Sequence, residues 1–184
     1  ILNIDNSFFY QHYKSIETNG LIIKSNNSKG VMIKGYDAYD KNHYLFNSIN
    51  MGALIQNPKS EILIGDSLAN EMNLNVGDKV KIAIPKTDKT ILGNIPRFKT
   101  LEVVGVFDLG LYEYDSNLIF LSSELVRKLL LYDEDIYNKI EFFTSSPNEI
   151  ELFKNKVELE TSNLLLNFYS ISWKDQNKTL INAL

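Results

Sequence analysis

Two neighbouring segments in the middle of the chain alternate apolar and polar side chains with the period of two that is typical of β-strands. The apolar positions of the first segment are Val80, Ile82 and Ile84, which alternate with Lys79, Lys81 and Ala83. One face of the second segment carries Leu101, Val103 and Phe107, and the other carries Glu102 and Asp108. We expect the two strands to pair as a hairpin. The segment that joins them, 85–98, is far longer than the roughly two to five residues that usually close a hairpin.

Strands followed by helical segments are expected at three other places. Short apolar runs predict these strands at 61–65, 117–121 and 140–144. The predicted caps of the helices that follow are Asp66, Ser122 and a capping box from Ser146 to Glu149. A last strand at 164–171 would complete a β-α-β unit, whose strands are parallel because the crossover between them is a helix.

Three further segments complete the predicted elements. A β-hairpin is expected within 21–34, with its turn at 25–29. The pattern at 40–50 is weakly helical, and the helical pattern from Trp173 continues to Leu184, where the sequence stops. This mixture of elements predicts an α+β fold in two lobes, excised from a longer protein.

Composition excludes several classes of protein. With 184 residues, 44% hydrophobic and 23% charged, the chain has the composition of an ordinary globular domain. A net charge of −4 provides no positive field that would hold nucleic acid. The absence of cysteine removes disulfides, thiolate metal sites and cysteine nucleophiles. No stretch approaches the roughly 18 to 20 apolar residues of a membrane span.

The sequence offers no catalytic or metal-binding set that stands out. His12 and His43 lie far apart, and neither has a second ligand at helical spacing. Asp37 and Asp40 are spaced so that they could hold a cation, but they lack the Gly and distal Glu of a calcium loop. As a carboxylate pair they could also serve a small hydrolase. The segment from Gly105 to Gly110 is not followed by the Lys and Ser or Thr of a phosphate-binding loop. We therefore expect no cofactor, no metal ion and no enzymatic activity, and we keep the hydrolase as an alternative.

The long hairpin connection departs from ordinary loop composition. Pro85 and Pro96 restrict the backbone near its two ends. Its apolar residues, where a loop tip is normally polar, are Ile91, Leu92, Ile95 and Phe98. If exposed, this cluster would anchor a partner; alternatively, the loop folds back over the sheet and buries the cluster.

An ordered set of short motifs carries a resemblance to a known family. The motifs are Ile62–Ala69, Leu74–Val80, Ile84–Pro85, Gly93–Pro96, Val103–Phe107, Ile119–Leu121 and Trp173–Asn177. Together they resemble the periplasmic domain of the lipoprotein-releasing ABC transporter permeases of the LolC, LolE and LolF family, within the MacB-like superfamily. The resemblance covers roughly residues 30 to 184.

The resemblance implies the periplasmic domain of a multi-pass inner-membrane protein, built from two lobes. A porter-like β-α-β lobe would comprise 1–28 plus 136–172, and an inserted sabre-like lobe would comprise 29–135. The sabre-like lobe would carry a protruding long β-hairpin with a hook at 85–98, and a juxtamembrane helix would follow at 173–184.

The resemblance also implies partners and the residues that bind them. In such domains the hook captures LolA, the periplasmic chaperone of lipoproteins. The hook residues would be Pro85, Ile91, Leu92, Gly93, Asn94, Ile95 and Pro96. A polar pad at the base of the hook would comprise Lys81, Phe98 and Lys99, although Phe98 departs from the polar residue expected there.

Other implied partners are a LolD-like ATPase, a second permease subunit that is LolE-like or identical, and the lipoprotein substrates. The alternative within the superfamily is the periplasmic domain of a MacB-like efflux or signalling permease. The second alternative, from another class, is a small periplasmic hydrolase that uses Asp37 and Asp40.

Overall fold

The structure is a computed structural model that describes residues 11–39, 42–85, 97–162 and 169–178. Its strands are β1 Gln11–Lys24, β2 Asn27–Tyr36, β3 Ile49–Gly52, β4 Glu61–Gly65, β5 Lys79–Ile84, β6 Arg97–Phe107, β7 Leu118–Ser122 and β8 Lys139–Phe143. Its α-helices are α1 Asp66–Met72, α2 Tyr112–Asn117, α3 Ser123–Leu130, α4 Ile150–Ser162 and α5 Trp173–Gln176. Short 3-10 helices span Tyr44–Ser48 and Pro147–Glu149. The fold is mixed α+β, as the sequence predicts.

The chain divides into two compact units. One unit is Lys14–Ile140, and the other combines Ile1–Tyr13 with Glu141–Leu184.

Six strands of the Lys14–Ile140 unit form a closed ring. The order around the ring is β1-β2-β7-β4-β6-β5, and β5 pairs with β1 again. The β2–β7 and β4–β6 pairs are parallel, and the other four pairs are antiparallel. Because each of these strands has a neighbour on both sides, the ring leaves little unpaired backbone to attract another chain.

The apolar faces of these strands point into one core. Val80, Ile82 and Ile84 of β5 are each at most 1% exposed, as their alternation with polar residues predicts. Helices α1 and α3 add their apolar faces to the same cluster, through Leu68 and Val126 among others. The helices therefore share one core with the strands.

The predicted helix starts are confirmed in one case and wrong in two. Ser122 accepts a hydrogen bond from the backbone N–H of Leu125 at 3.1 Å and caps α3. Asp66 is not a cap: Gly65 holds that position, and the Asp66 carboxylate accepts from the side chain of Asn70. The capping box at Ser146 is also absent, because Pro147–Glu149 folds as a 3-10 helix in which Glu149 N–H donates to the Ser146 carbonyl.

Other elements extend or replace the predicted ones. The hairpin expected within 21–34 is longer, from Gln11 to Tyr36, and its turn at Ser25 and Asn26 is tighter. The weakly helical segment forms only the 3-10 helix Tyr44–Ser48, and β3 follows it and pairs with β6. Most of the strand expected at 164–171 and the end of the helix expected to reach Leu184 lie outside the described residues.

The unit that contains α4 and α5 has a small aromatic core and a polar contact between these two helices. We call this contact, formed by Lys154, Ser172 and Asp175, the clasp. Phe153 of α4 is 5% exposed and packs edge-on against Phe142, with ring centroids 5.3 Å apart. Ser172 and Asp175 form a capping box that begins α5, and the Asp175 carboxylate pairs with Lys154 of α4 at 2.7 Å. These contacts hold α5 against α4.

No helix in the described parts of the chain is both long enough and apolar enough to cross a membrane.

Candidate functional site

The two strands that support the long connection are confirmed as an antiparallel pair. Strands β5 and β6 are in continuous register from Lys79 opposite Glu102 to Ile84 opposite Arg97. Pro85, the first predicted hook residue, follows β5 and is exposed. The remaining predicted hook residues lie outside the described ranges: Ile91, Leu92, Gly93, Asn94, Ile95 and Pro96.

Two predicted pad residues lie together on the outward face of the hairpin. Directly opposed residues of an antiparallel pair share a face, so Lys81 shares its face with Thr100, and Phe98 shares the same face with Ala83. The Lys81 ammonium lies 5.7 Å from the centroid of the Phe98 ring. Phe98 is 53% exposed, which makes this lysine–aromatic pair accessible to a partner.

The third predicted pad residue, Lys99, lies on the other face. Its cross-strand partner is Ile82, which is fully buried in the core. Lys99 is nevertheless exposed to solvent. The register thus brings Lys81 and Phe98 together and separates Lys99 from them.

Arg97, the first residue of β6, contacts the end of α3. Its guanidinium donates to the backbone carbonyl of Lys128, in the last turn of α3, at 3.4 Å. The C-terminal end of a helix carries partial negative charge and favours a cation there. The sequence analysis missed this contact, and the available signal was that Arg97 is one of only two arginines in a chain rich in lysine.

The carboxylate proposed for a hydrolase is engaged in a structural network. Asp37 accepts hydrogen bonds from the hydroxyls of Ser123 and Tyr137, the latter at 2.7 Å, and lies 3.8 Å from the guanidinium of Arg127. Burial, assisted by the Asp37 carboxylate, raises the pKa of the Tyr137 hydroxyl. Asp40, the second member of the proposed pair, lies outside the described residues.

The two histidines pack against aromatic rings. His43 is 3% exposed, and its ring packs among Tyr36, Tyr39 and Tyr44. Its Nδ1 accepts from the backbone N–H of Leu45 at 3.3 Å and caps the 3-10 helix. His12 lies beside the Phe142 ring, with centroids 6.1 Å apart. Among the described residues, no group of three or more His, Asp or Glu side chains is placed to hold a metal ion.

Asp115 holds the loop that follows β6 and was not singled out from the sequence. Its carboxylate accepts from the backbone N–H of Leu109 at 2.8 Å and from that of Leu111 at 3.1 Å. Asp115 is 4% exposed, and burial raises the pKa of its carboxyl group against the opposite effect of these hydrogen bonds. A buried acceptor with two backbone donors is typical of a residue that fixes local structure.

Comparison with known proteins finds relatives among the transmembrane proteins of lipoprotein-releasing systems. No protein-family model matches the chain. The chain is 30% identical over 96 residues to the lipoprotein-releasing system transmembrane protein LolC of Xylella fastidiosa, a match that covers 51% of this chain and 23% of that protein. It is 33% identical over 76 residues to LolC of Neisseria meningitidis, covering 41% of this chain and 18% of that protein. LolC of Buchnera aphidicola is 24% identical over 156 residues, or 84% of this chain and 36% of that protein. The matches thus span well under half the length of these relatives.

Solved structures share the fold. The periplasmic region of MacB from Actinobacillus actinomycetemcomitans superposes with a TM-score of 0.56 and 14% identity, covering all of this chain and 85% of that structure. The extracellular domain of the ABC-type transporter YknZ from Gram-positive bacteria superposes with a TM-score of 0.55 and 13% identity, covering 88% of this chain and 78% of that structure. The chain is therefore similar in sequence to part of LolC, and it shares the fold of the MacB periplasmic region.

Proposed function

We propose that this chain is the periplasmic domain of the permease subunit of an ATP-driven lipoprotein-releasing complex. In this proposal the domain captures the periplasmic chaperone LolA through the hook at 85–98, so that outer-membrane lipoproteins are handed over to it. The observation that carries the proposal is the similarity to LolC in three organisms, in a chain whose β5–β6 hairpin has an unusually long connection.

The arrangement at the base of the hairpin supports a binding role. Lys81 and Phe98 offer a cation and an apolar ring side by side on an outward face. Exposed aromatic residues and nearby charges are common in protein–protein interfaces, where apolar anchors supply affinity and charges speed association. The base of the hairpin would therefore meet the rim of the chaperone while the hook enters its apolar cavity.

The proposal extends to the whole permease. ATP hydrolysis is assigned to a separate LolD-like subunit, and a second permease subunit, identical or LolE-like, would complete the complex in the inner membrane. Residues 1–28 with 136–172 would be the porter-like lobe, residues 29–135 the sabre-like lobe, and 173–184 the juxtamembrane helix.

The test measures binding of purified LolA from the same organism to the 184-residue chain by biolayer interferometry. Leu92→Asp combined with Ile95→Asp should abolish binding, because apolar anchors typically cost about 2 kcal/mol or more when they are removed. The matched control combines Val76→Asp and Ile136→Asp, which replace apolar residues that are 44% and 40% exposed and lie outside the hairpin. This control should bind normally.

Thermal unfolding of the same variants distinguishes a loop that is exposed and binds a partner from a loop that folds back over the sheet and covers the core. If the hook variant unfolds while the control remains folded, the loop covers the core. If the hook variant folds and binds LolA normally, the proposal is wrong.

The second candidate is the periplasmic domain of a MacB-like efflux or signalling permease. The fold match to the MacB periplasmic region, which covers all of this chain, favours it. This candidate predicts no LolA binding and no effect of the hook variant on transport.

A further inference from the structure

An outward-facing row of residues crosses four strands and joins the base of the hairpin to β1. Leu21 of β1 lies opposite Gly30 of β2 on one side and opposite Ala83 of β5 on the other. Ala83 in turn lies opposite Phe98 of β6. Because opposed residues of antiparallel strands share a face, Leu21 and Phe98 lie on the same face. Neighbouring strands are about 4.8 Å apart, so roughly 10 Å separates the two backbones.

The exposure of this row shows that it is on the outside of the ring. Leu21 is 44% exposed and Phe98 is 53% exposed, whereas Ala83 between them is 2% exposed. A side chain added at Gly30 would meet nothing within 4 Å. The apolar surface of the row therefore comes from two large side chains with a small residue between them, next to open space.

The adjacent row adds positive charge. Ile23 of β1 lies opposite Lys81 of β5, and Lys81 lies opposite Thr100 of β6. In the row beyond, Lys79 lies opposite the carboxylate-bearing Glu102. Lys81, in the row next to the apolar one, thus lies opposite a hydroxyl rather than a carboxylate. A partner with a carboxylate at this point would complement it.

We propose that the partner-binding surface of the hairpin extends across β5 onto β1, with Leu21 as a second apolar contact beside Phe98. The occupant is the lipoprotein chaperone, which would meet this surface with apolar residues bordered by carboxylates. The inference rests on the proposed function and adds to it a contact outside the hook and pad. A distance of roughly 10 Å lies well within a standard interface, which buries about 800 Å² on each partner.

The experiment compares Leu21→Asp with Val76→Asp in the 184-residue chain, with purified LolA as the probe. Leu21 and Val76 are both 44% exposed, so the two changes remove similar surface at different places. Leu21→Asp should weaken binding about tenfold, mainly through faster dissociation, while Val76→Asp should leave it unchanged. Leu21→Thr and Val76→Thr form a second pair, which replaces each apolar side chain with a polar one that is tolerated in strands and introduces no charge.

The possible outcomes separate this inference from the proposed function. If the unaltered chain binds LolA and the hook variant does not, but both Leu21 variants bind like their Val76 controls, the extension onto β1 is wrong and the hook proposal stands. If the unaltered chain does not bind LolA, both proposals fail. Weaker binding by folded Leu21→Asp or Leu21→Thr, together with normal binding by its Val76 control, supports the extension.

Discussion

Lys81 places its ammonium 5.7 Å from the centroid of the Phe98 ring, on the outward face of the β5–β6 hairpin. A cation above an exposed aromatic ring gains about 0.5–1 kcal/mol. The pair orients a charge next to an apolar group at the base of the long connection. Because Lys99 lies on the other face, the two lysines expected to act together should act differently.

The first prediction therefore separates Lys81 from Lys99. If the domain binds LolA as we propose, Lys81→Glu should slow association at low salt, at a cost of about 1 kcal/mol or less, because rim charges mainly change the association rate. Lys99→Glu should have a smaller effect, because its face differs from that of Phe98. Association rates measured by stopped flow at several salt concentrations test this. Equal effects of the two changes would contradict the assignment of faces.

The second prediction concerns the close approach of β4 to α2. A side chain at Gly65 would come within 2.1 Å of the Asp115 backbone carbonyl, whereas one at Gly30 would meet nothing within 4 Å. Gly65→Ala should lower the free energy of unfolding by about 1–3 kcal/mol, because backbone has to move to make room. Gly30→Ala, the control, should change it by about 0.5 kcal/mol or less. Urea denaturation gives both values, and similar stability of the two variants would argue against this contact.

The third prediction tests the two helix starts. Ser122 caps α3, and its hydroxyl also donates to the Pro58 carbonyl. Ser122→Ala should cost about 1–2 kcal/mol of stability. Asp66→Ala should cost about 0.5 kcal/mol, since it removes only a favourable charge in the first turn of α1 and a bond to Asn70. Chemical denaturation of both variants measures the difference, and a larger loss for Asp66→Ala would show that the assigned caps are wrong.

The fourth prediction concerns pH and the clasp between α4 and α5. The Lys154 ammonium, together with the backbone N–H and hydroxyl of Ser172, lowers the pKa of Asp175 to about 2. Because the folded pKa lies below the ordinary value of 3.8, the clasp contributes stability above about pH 4 and loses it as the pH falls through about 2. Carbon-13 NMR titration of the Asp175 carboxyl group should show this low pKa.

Two lysine variants test the cause of this shift. Lys154→Met should move the pKa of Asp175 upwards, because its main ion-pair partner is gone. Lys174→Met is the control: this ammonium lies 3.4 Å from the Asn148 carbonyl, and its loss should leave the titration unchanged. An Asp175 pKa that does not respond to Lys154→Met would assign the shift to Ser172 alone.

Local chemistry in the sequence was sufficient to predict several elements. Alternation at Val80, Ile82 and Ile84 located β5 and its buried face, because a strand turns successive side chains to opposite sides. A serine before an apolar helical pattern located the start of α3, because its hydroxyl can satisfy an end N–H. The ordered motifs indicated the similarity to LolC, because each motif consists of residues that are consecutive in the chain.

Tertiary structure decided what these elements do together. The ring closes because β1 pairs with both β2 and β5, and pairing between β1 and β5 joins residues about 60 positions apart that no local pattern connects. Register then places Lys81 beside Phe98 and turns Lys99 to the other face, since a shift of one residue reverses every side chain. The tertiary structure also decides the close approach of Gly65 to the Asp115 backbone. The space for a side chain at Gly65 is limited by the backbone of a segment that is distant in the sequence, so the sequence alone does not specify it.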